Sequence, residues 1–122
     1  YVNQSYALVN DLPQAAVINA DGAAIYPTLE ATSVGLDGLD IPDDYQFSIL
    51  GIGGEGYPIT GAVWNFFWEC GYDGNTAELL KAFWTWALED GDEFATELAY
   101  APLGPDVKQR VLAELDRIGH LD

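Results

Sequence analysis

The sequence predicts an α/β fold, a mixed sheet flanked by helices, and three stretches predict it. The first is Tyr57–Glu69, YPITGAVWNFFWE, whose side chains alternate from Ala62 as in a strand. Ala62, Trp64, Phe66 and Trp68 share one face, and Val63, Asn65 and Phe67 share the other. Both faces are largely apolar, the pattern of a strand covered on two sides at the centre of a sheet. Burying each of its four aromatic rings would contribute about 1.5–3 kcal/mol before ordering costs. The second is Asn75–Glu89, with Leu79, Leu80, Phe83, Trp84, Ala87 and Leu88 on one broad stripe. The third begins at Pro105, where Val107, Val111, Leu115 and Ile118 recur on one helical face.

From the start of the chain, Tyr1–Asn10 suits an extended segment or a short helical turn, broken by Asn10-Asp11 and Pro13. Gln14–Ile18 reads as a short strand, and Asn19-Ala20-Asp21-Gly22 is turn chemistry with Gly22 free to take positive φ. Ala23–Tyr26 returns, so 14–26 is a predicted hairpin. Thr28 can cap a short helix over Leu29–Val34 that ends at Gly35 or Gly38. Leu36–Asp44 is a loop by composition, and Tyr45–Ile52 alternates as a strand would. Gly51, Gly53, Gly54 and Gly56 make a flexible crossing into the central strand. Beyond that strand Cys70–Gly74 is a turn, and Asn75 with Glu78 resembles a capping box. Gly91 stops the helix, Phe94–Tyr100 is a short helix or turn, and Pro105 suits the first turn of the last helix, which Gly119 ends.

The 122 residues fit one domain or a piece of one, and a 49% hydrophobic fraction is enough to build a core. Twenty acidic residues face four basic ones, a net charge of -16. The basic residues, Lys81, Lys108, Arg110 and Arg117, all lie in the last third. That field disfavours nucleic acid and anionic membrane surfaces as partners. No apolar run has the length of a membrane span, and no signal-peptide pattern is read. Tyr1 stands first in the chain, which fits a processed protein, an excised domain or a proteolytic fragment alike.

Tests for chemistry find little. The glycines at 51–56 lack both the GK[ST] ending of a P-loop and GxGxxG spacing, so they read as a connector. Glu89-Asp90 and Asp92-Glu93 lack the order of an EF-hand loop and read as a solvated acidic edge. The tryptophans of Phe83-Trp84-Thr85-Trp86 have helical spacing and suit core packing better than a stacking platform. Cys70, the single cysteine, can form no internal disulfide and has no basic neighbour to activate it. His120, the single histidine, has no ligand partner nearby in sequence and reads as a surface residue. Neither a GxSxG elbow nor an HExxH pair occurs. The expectation is a non-enzyme with no catalytic residue, no metal site and no cofactor.

The order of small motifs does carry information. Tyr1-Val2 and Tyr6-Ala7, Asn10-x-Leu12, Ala20-Asp21-Gly22 and Pro27-Thr28 are followed by Tyr57-Pro58-Ile59-Thr60 and Phe83-x-x-Trp86-Ala87. Gly91, Tyr100-Ala101-Pro102-Leu103, Pro105 and Val107 complete the series. In this arrangement the chain resembles the C-terminal portion of the substrate-binding proteins of phosphate ABC transporters, the PstS-type family; Ser33–Gly56 follows that pattern poorly.

The resemblance implies part of a type II periplasmic-binding-protein-like fold, two α/β lobes with a ligand cleft between them. Residues 1–50 would finish the second lobe, 51–56 would be the glycine-rich crossing, and 57–122 would return to the first lobe. The family's phosphate ligands lie in the N-terminal half, including an arginine and an SGT-like turn at a helix N-terminus. This chain has no SGT, and its two arginines, Arg110 and Arg117, lie in the last helix, so no phosphate-binding residue is transferred. The resemblance thus implies a scaffold segment of an extracytoplasmic protein, in the periplasm or on a cell-surface lipoprotein. Inorganic phosphate and an ABC permease would be partners of the whole, with a homodimer or a complex with the missing half as possible assemblies. The alternative is a stand-alone interaction domain derived from such a fold that does not bind phosphate. An acidic small-molecule enzyme is the third reading, with no constellation behind it.

Overall fold

The structure, a computed structural model, describes residues 1–119. The expectation for His120 lies outside the described residues. In order the elements are α1 (Gln4–Val9), β1 (Val17–Ile18), β2 (Ala24–Ile25), α2 (Leu29–Asp37), α3 (Gly74–Glu89), α4 (Asp92–Glu97) and α5 (Pro105–Leu115).

Much of this follows from local chemistry. The Asn3 side chain accepts from the Ser5 N–H at 2.9 Å and starts α1. The 14–26 hairpin forms with β1 and β2 antiparallel, Val17 opposite Ile25 and Ile18 opposite Ala24. Its turn places Gly22 at φ +83°, a backbone region that costs glycine nothing. Thr28 caps α2, its Oγ1 accepting from Ala31 N–H at 3.0 Å, and Gly38 is the C-cap. Gly35, the other stop considered, lies buried inside α2. Pro105 opens α5 as expected.

Other expectations need correction. The cap of α3 is Asp73, whose Oδ1 accepts from Thr76 N–H at 2.9 Å while its Oδ2 accepts from the Thr76 hydroxyl at 2.8 Å. The helix therefore starts at Gly74, and the capping box of Asn75 and Glu78 does not set it. The last helix ends at Leu115, although Ile118 beyond it remains buried. No strand forms over 45–52. Tyr45 sits at φ +55°, and the Asp44 and Ser48 side chains accept from the backbone N–H groups of Gln46 and Leu50. Such local bonds offer the backbone an alternative to a ladder.

The sheet is also smaller than expected. Helices and strands both occur, but among the described residues the one sheet is the two-stranded hairpin, so no mixed sheet closes within the chain. The stretch expected at its centre, 61–69, has no strand neighbour. It lies instead against the α3–α5 pair. There Ala77, Leu115 and Ile118 form a small core joined by Phe67, Tyr72, Trp84, Leu88 and Leu112. Only Phe67 of the four aromatics enters this cluster; Phe66 is 91% exposed and Trp68 78%.

The glycine crossing is pinned rather than loose. Ala20 N–H donates to Ile52 O at 2.9 Å, Asn19 Nδ2 to Gly54 O at 2.8 Å, and Gly54 N–H to Asp21 Oδ2 at 2.7 Å. Ile52 is buried, and Tyr57 N–H donates to Ala31 O at 2.9 Å. At Gly56 the backbones touch, and a Cβ there would lie 2.8 Å from Gly35 Cα.

Candidate functional site

One concavity follows from the open position of 61–69. A cavity of about 430 Å³ lies between this segment and the helices, with Trp64 and Phe67 on one wall and Trp84, Leu88, Val111 and Leu115 on the other. A second hollow, about 600 Å³, shares Tyr45, Trp64 and Phe66 with the first and is also bounded by Phe47 and Ser48. Trp64 lines both, its ring centroid 5.4 Å from Phe47, and its Nε1–H donates to Tyr45 O at 3.1 Å.

Arg110 in α5 and Arg117 just beyond its end, not in the last helix as expected, tie flanking segments to the groove. Arg110 donates from its guanidinium to Ile41 O at 2.7 Å and Pro42 O at 3.1 Å, lies 3.5 Å from Asp43, and covers the Tyr45 ring at 5.2 Å. It thereby ties the 41–45 loop to α5 and sets Tyr45 at the groove wall. Burial raises the Tyr45 phenol above its ordinary pKa, helped by the Glu114 carboxylate and opposed by Arg110. At the other end Arg117 donates to Glu114 at 2.9 Å and also pairs with Glu69, while Gly119 N–H donates to Glu69 O at 2.7 Å. These carboxylates raise the Arg117 pKa further.

The backbone of 61–67 makes no backbone hydrogen bond among the described residues; at the end of the run Trp68 N–H donates to the Tyr72 hydroxyl at 3.0 Å. The site therefore combines exposed aromatic rings with a row of peptide groups that have no backbone partner among the described residues. Among the described residues that line it, no nucleophile is juxtaposed with a base. What it can do chemically is bind by apolar burial and main-chain pairing.

The residues weighed in the sequence disperse. Among the described residues no three His, Cys, Asp or Glu side chains converge on a metal-sized site. Asp90 caps the end of α3, and Asp92 pairs with Lys108 Nζ at 2.7 Å. Cys70 is exposed at the turn after the aromatic run. Trp84 packs into the core, whereas Trp86 sits between Phe83 and Phe94, at centroid distances of 6.0 and 5.6 Å. Sequence reasoning missed Tyr45 as a groove wall and the two arginines as its clamps. Nothing in the sequence signalled these contacts, since α5 ends at Leu115 and Arg117 lies past it.

The groove thus offers exposed aromatic rings and peptide groups without backbone partners among the described residues as a surface for binding. The chain is similar to the phosphate-binding protein PstS of Xylella fastidiosa strain Temecula1, 29% identical over 116 residues, and to that of strain 9a5c, 27% identical over 116. It is also 26% identical over 117 residues to the PstS phosphate-binding protein of Pasteurella multocida. Each match covers 93% of this chain but only 32–34% of the relative, so the chain spans about a third of their length. The resemblance to PstS-type proteins read from the motifs is borne out along nearly the whole chain. No family model matches, and no solved structure matches.

Proposed function

We propose that this chain is a scaffold segment of an extracytoplasmic phosphate-binding protein that serves an ABC transporter. The observation that carries the reading is collinear similarity over 93% of the chain to proteins three times its length that are named for phosphate binding. In this reading 1–50 completes a second lobe, 51–56 crosses between lobes, and 57–122 returns to the first lobe of a type II fold. Phosphate is held elsewhere in the whole protein, and this segment supplies no ligand. Its arginines support that division, because Arg110 and Arg117 are already engaged with carbonyls and carboxylates of the chain. Among the described residues no helix is long and apolar enough to cross a membrane. The permease, and a complex with the remainder of the protein, are the partners of this reading.

The test is a chimera in which this chain replaces the matched third of the Temecula1 relative. Calorimetry should find micromolar or tighter phosphate binding in the chimera and none in the chain alone. A chimera that folds yet ignores phosphate would favour a stand-alone interaction domain. Tight binding by the chain alone would show that it carries the ligands itself.

A further inference from the structure

We infer that the Asp90-Gly91 junction is a modification site, at which isoaspartate forms spontaneously and the main chain between α3 and α4 is rerouted through the Asp90 side chain. The chain contains four Asp-Gly pairs, at 21–22, 37–38, 73–74 and 90–91. In each, the glycine has no Cβ to shield its amide nitrogen from the preceding carboxyl. That nitrogen attacks the aspartate Cγ and gives up its proton, one carboxyl oxygen leaves as water, and a five-membered succinimide closes. Water then adds to either ring carbonyl. Cleavage of one C–N bond restores aspartate; cleavage of the other leaves the peptide bond on Cγ and the α-carboxylate free. One water is lost and one is regained.

The fold selects among the four by what holds each nitrogen and each carboxyl. At 21–22 both are engaged: Gly22 N–H donates to Asn19 O at 3.0 Å, and Asp21 Oδ2 accepts from Gly54 N–H at 2.7 Å. At 37–38 Gly38 N–H donates to Val34 O at 3.2 Å, and the Asp37 carboxylate lies against Gly104. At 73–74 the Asp73 oxygens accept from the Thr76 N–H and hydroxyl, which fixes the carboxyl as the cap of α3. Asp90 differs. Its side chain is exposed and has no hydrogen bond or ion pair among the described residues, and Gly91 N–H has no acceptor there. What opposes ring closure is the end of α3: Asp90 stands at ψ -7°, and its own N–H donates to Trp86 O at 2.8 Å. Helix ends open at little cost. Phe94 of α4 packs on Trp86 of α3 across this junction, at 5.6 Å between ring centroids, so the extra main-chain methylene of isoaspartate falls where it parts the two helices.

The test is to age the folded chain at neutral pH and physiological temperature and map it with an endoproteinase that cleaves before aspartate but not before isoaspartate. Electron-transfer fragmentation of the resistant peptides places each isomer. Loss of cleavage before Asp90 should run about tenfold ahead of loss before Asp21, Asp37 or Asp73, because those junctions must first open locally. In urea the four rates should converge. Asp90→Glu keeps the charge but would need a strained six-membered ring, so it should melt as the parent does and form no isomer at that position. Isomer that appears first at another junction of the folded chain, or at all four alike, overturns the inference. So does a lead at Asp90 that persists undiminished in urea, since the fold would then not be its cause.

Discussion

Single residues decide how closely α2 packs on the glycine crossing. Gly56 lies where α2 and the crossing touch: a methyl there would meet Gly35 Cα at 2.8 Å and Ile52 Cγ2 at 2.6 Å. Gly56→Ala should cost about 1–3 kcal/mol, seen as a lower urea midpoint at unchanged slope. Thr28 satisfies an orphan donor of α2, and Thr28→Ala should cost about 1 kcal/mol. Asp73 adds a pH dependence. The Thr76 N–H and hydroxyl hold its carboxyl below the ordinary carboxylate pKa. A group so depressed contributes fully above its ordinary value and loses that contribution as pH falls through the lowered one. Helicity of the intact chain should therefore drop in strong acid partly through α3, and Asp73→Asn should show less of that drop by circular dichroism.

At the scale of elements the aromatic run is the clearest case of two neighbours with different fates. Phe67 packs on Trp84 edge-on, at 5.6 Å between ring centroids, whereas Phe66 faces solvent. Phe67→Ala should destabilise the chain by about 1–3 kcal/mol, and Phe66→Ala by less than about 0.5 kcal/mol, in thermal or urea melts. The hairpin, α2 and the start of α5 were legible in sequence because each is coded within a few residues, by a turn glycine, a capping hydroxyl or a first-turn proline. The fate of 61–69 was not legible in the same way. Its pattern states that both faces can be buried, yet burial needs neighbours, and strands of two residues at the hairpin supply none. Similarly, nothing in the alternation of 45–52 reveals that Asp44 and Ser48 will capture the backbone first. The candidate groove was legible only as an aromatic stretch; its Arg110 clamp depends on contacts 68 or 69 residues apart in sequence, and the Arg117–Glu69 pair on one 48 apart.

Across the whole molecule, twenty acidic groups against four basic ones make self-repulsion a standing cost. Lys108, Arg110 and Arg117 are all committed to contacts within the chain, so added salt has more repulsion than attraction to screen. Raising ionic strength from about 0.01 M, where the Debye length is long, to about 0.5 M should raise the melting temperature; a fall would mean that the ion pairs dominate. The pinned crossing has its own consequence for how the chain comes apart under a protease. A run of four glycines in six residues looks like a linker that enzymes would nick first, yet Asn19, Asp21 and the buried Ile52 hold it closed. The vulnerable bonds belong to the open aromatic run. Brief chymotrypsin treatment should cut after Phe66 or Trp68 and leave residues 1–56 as one piece.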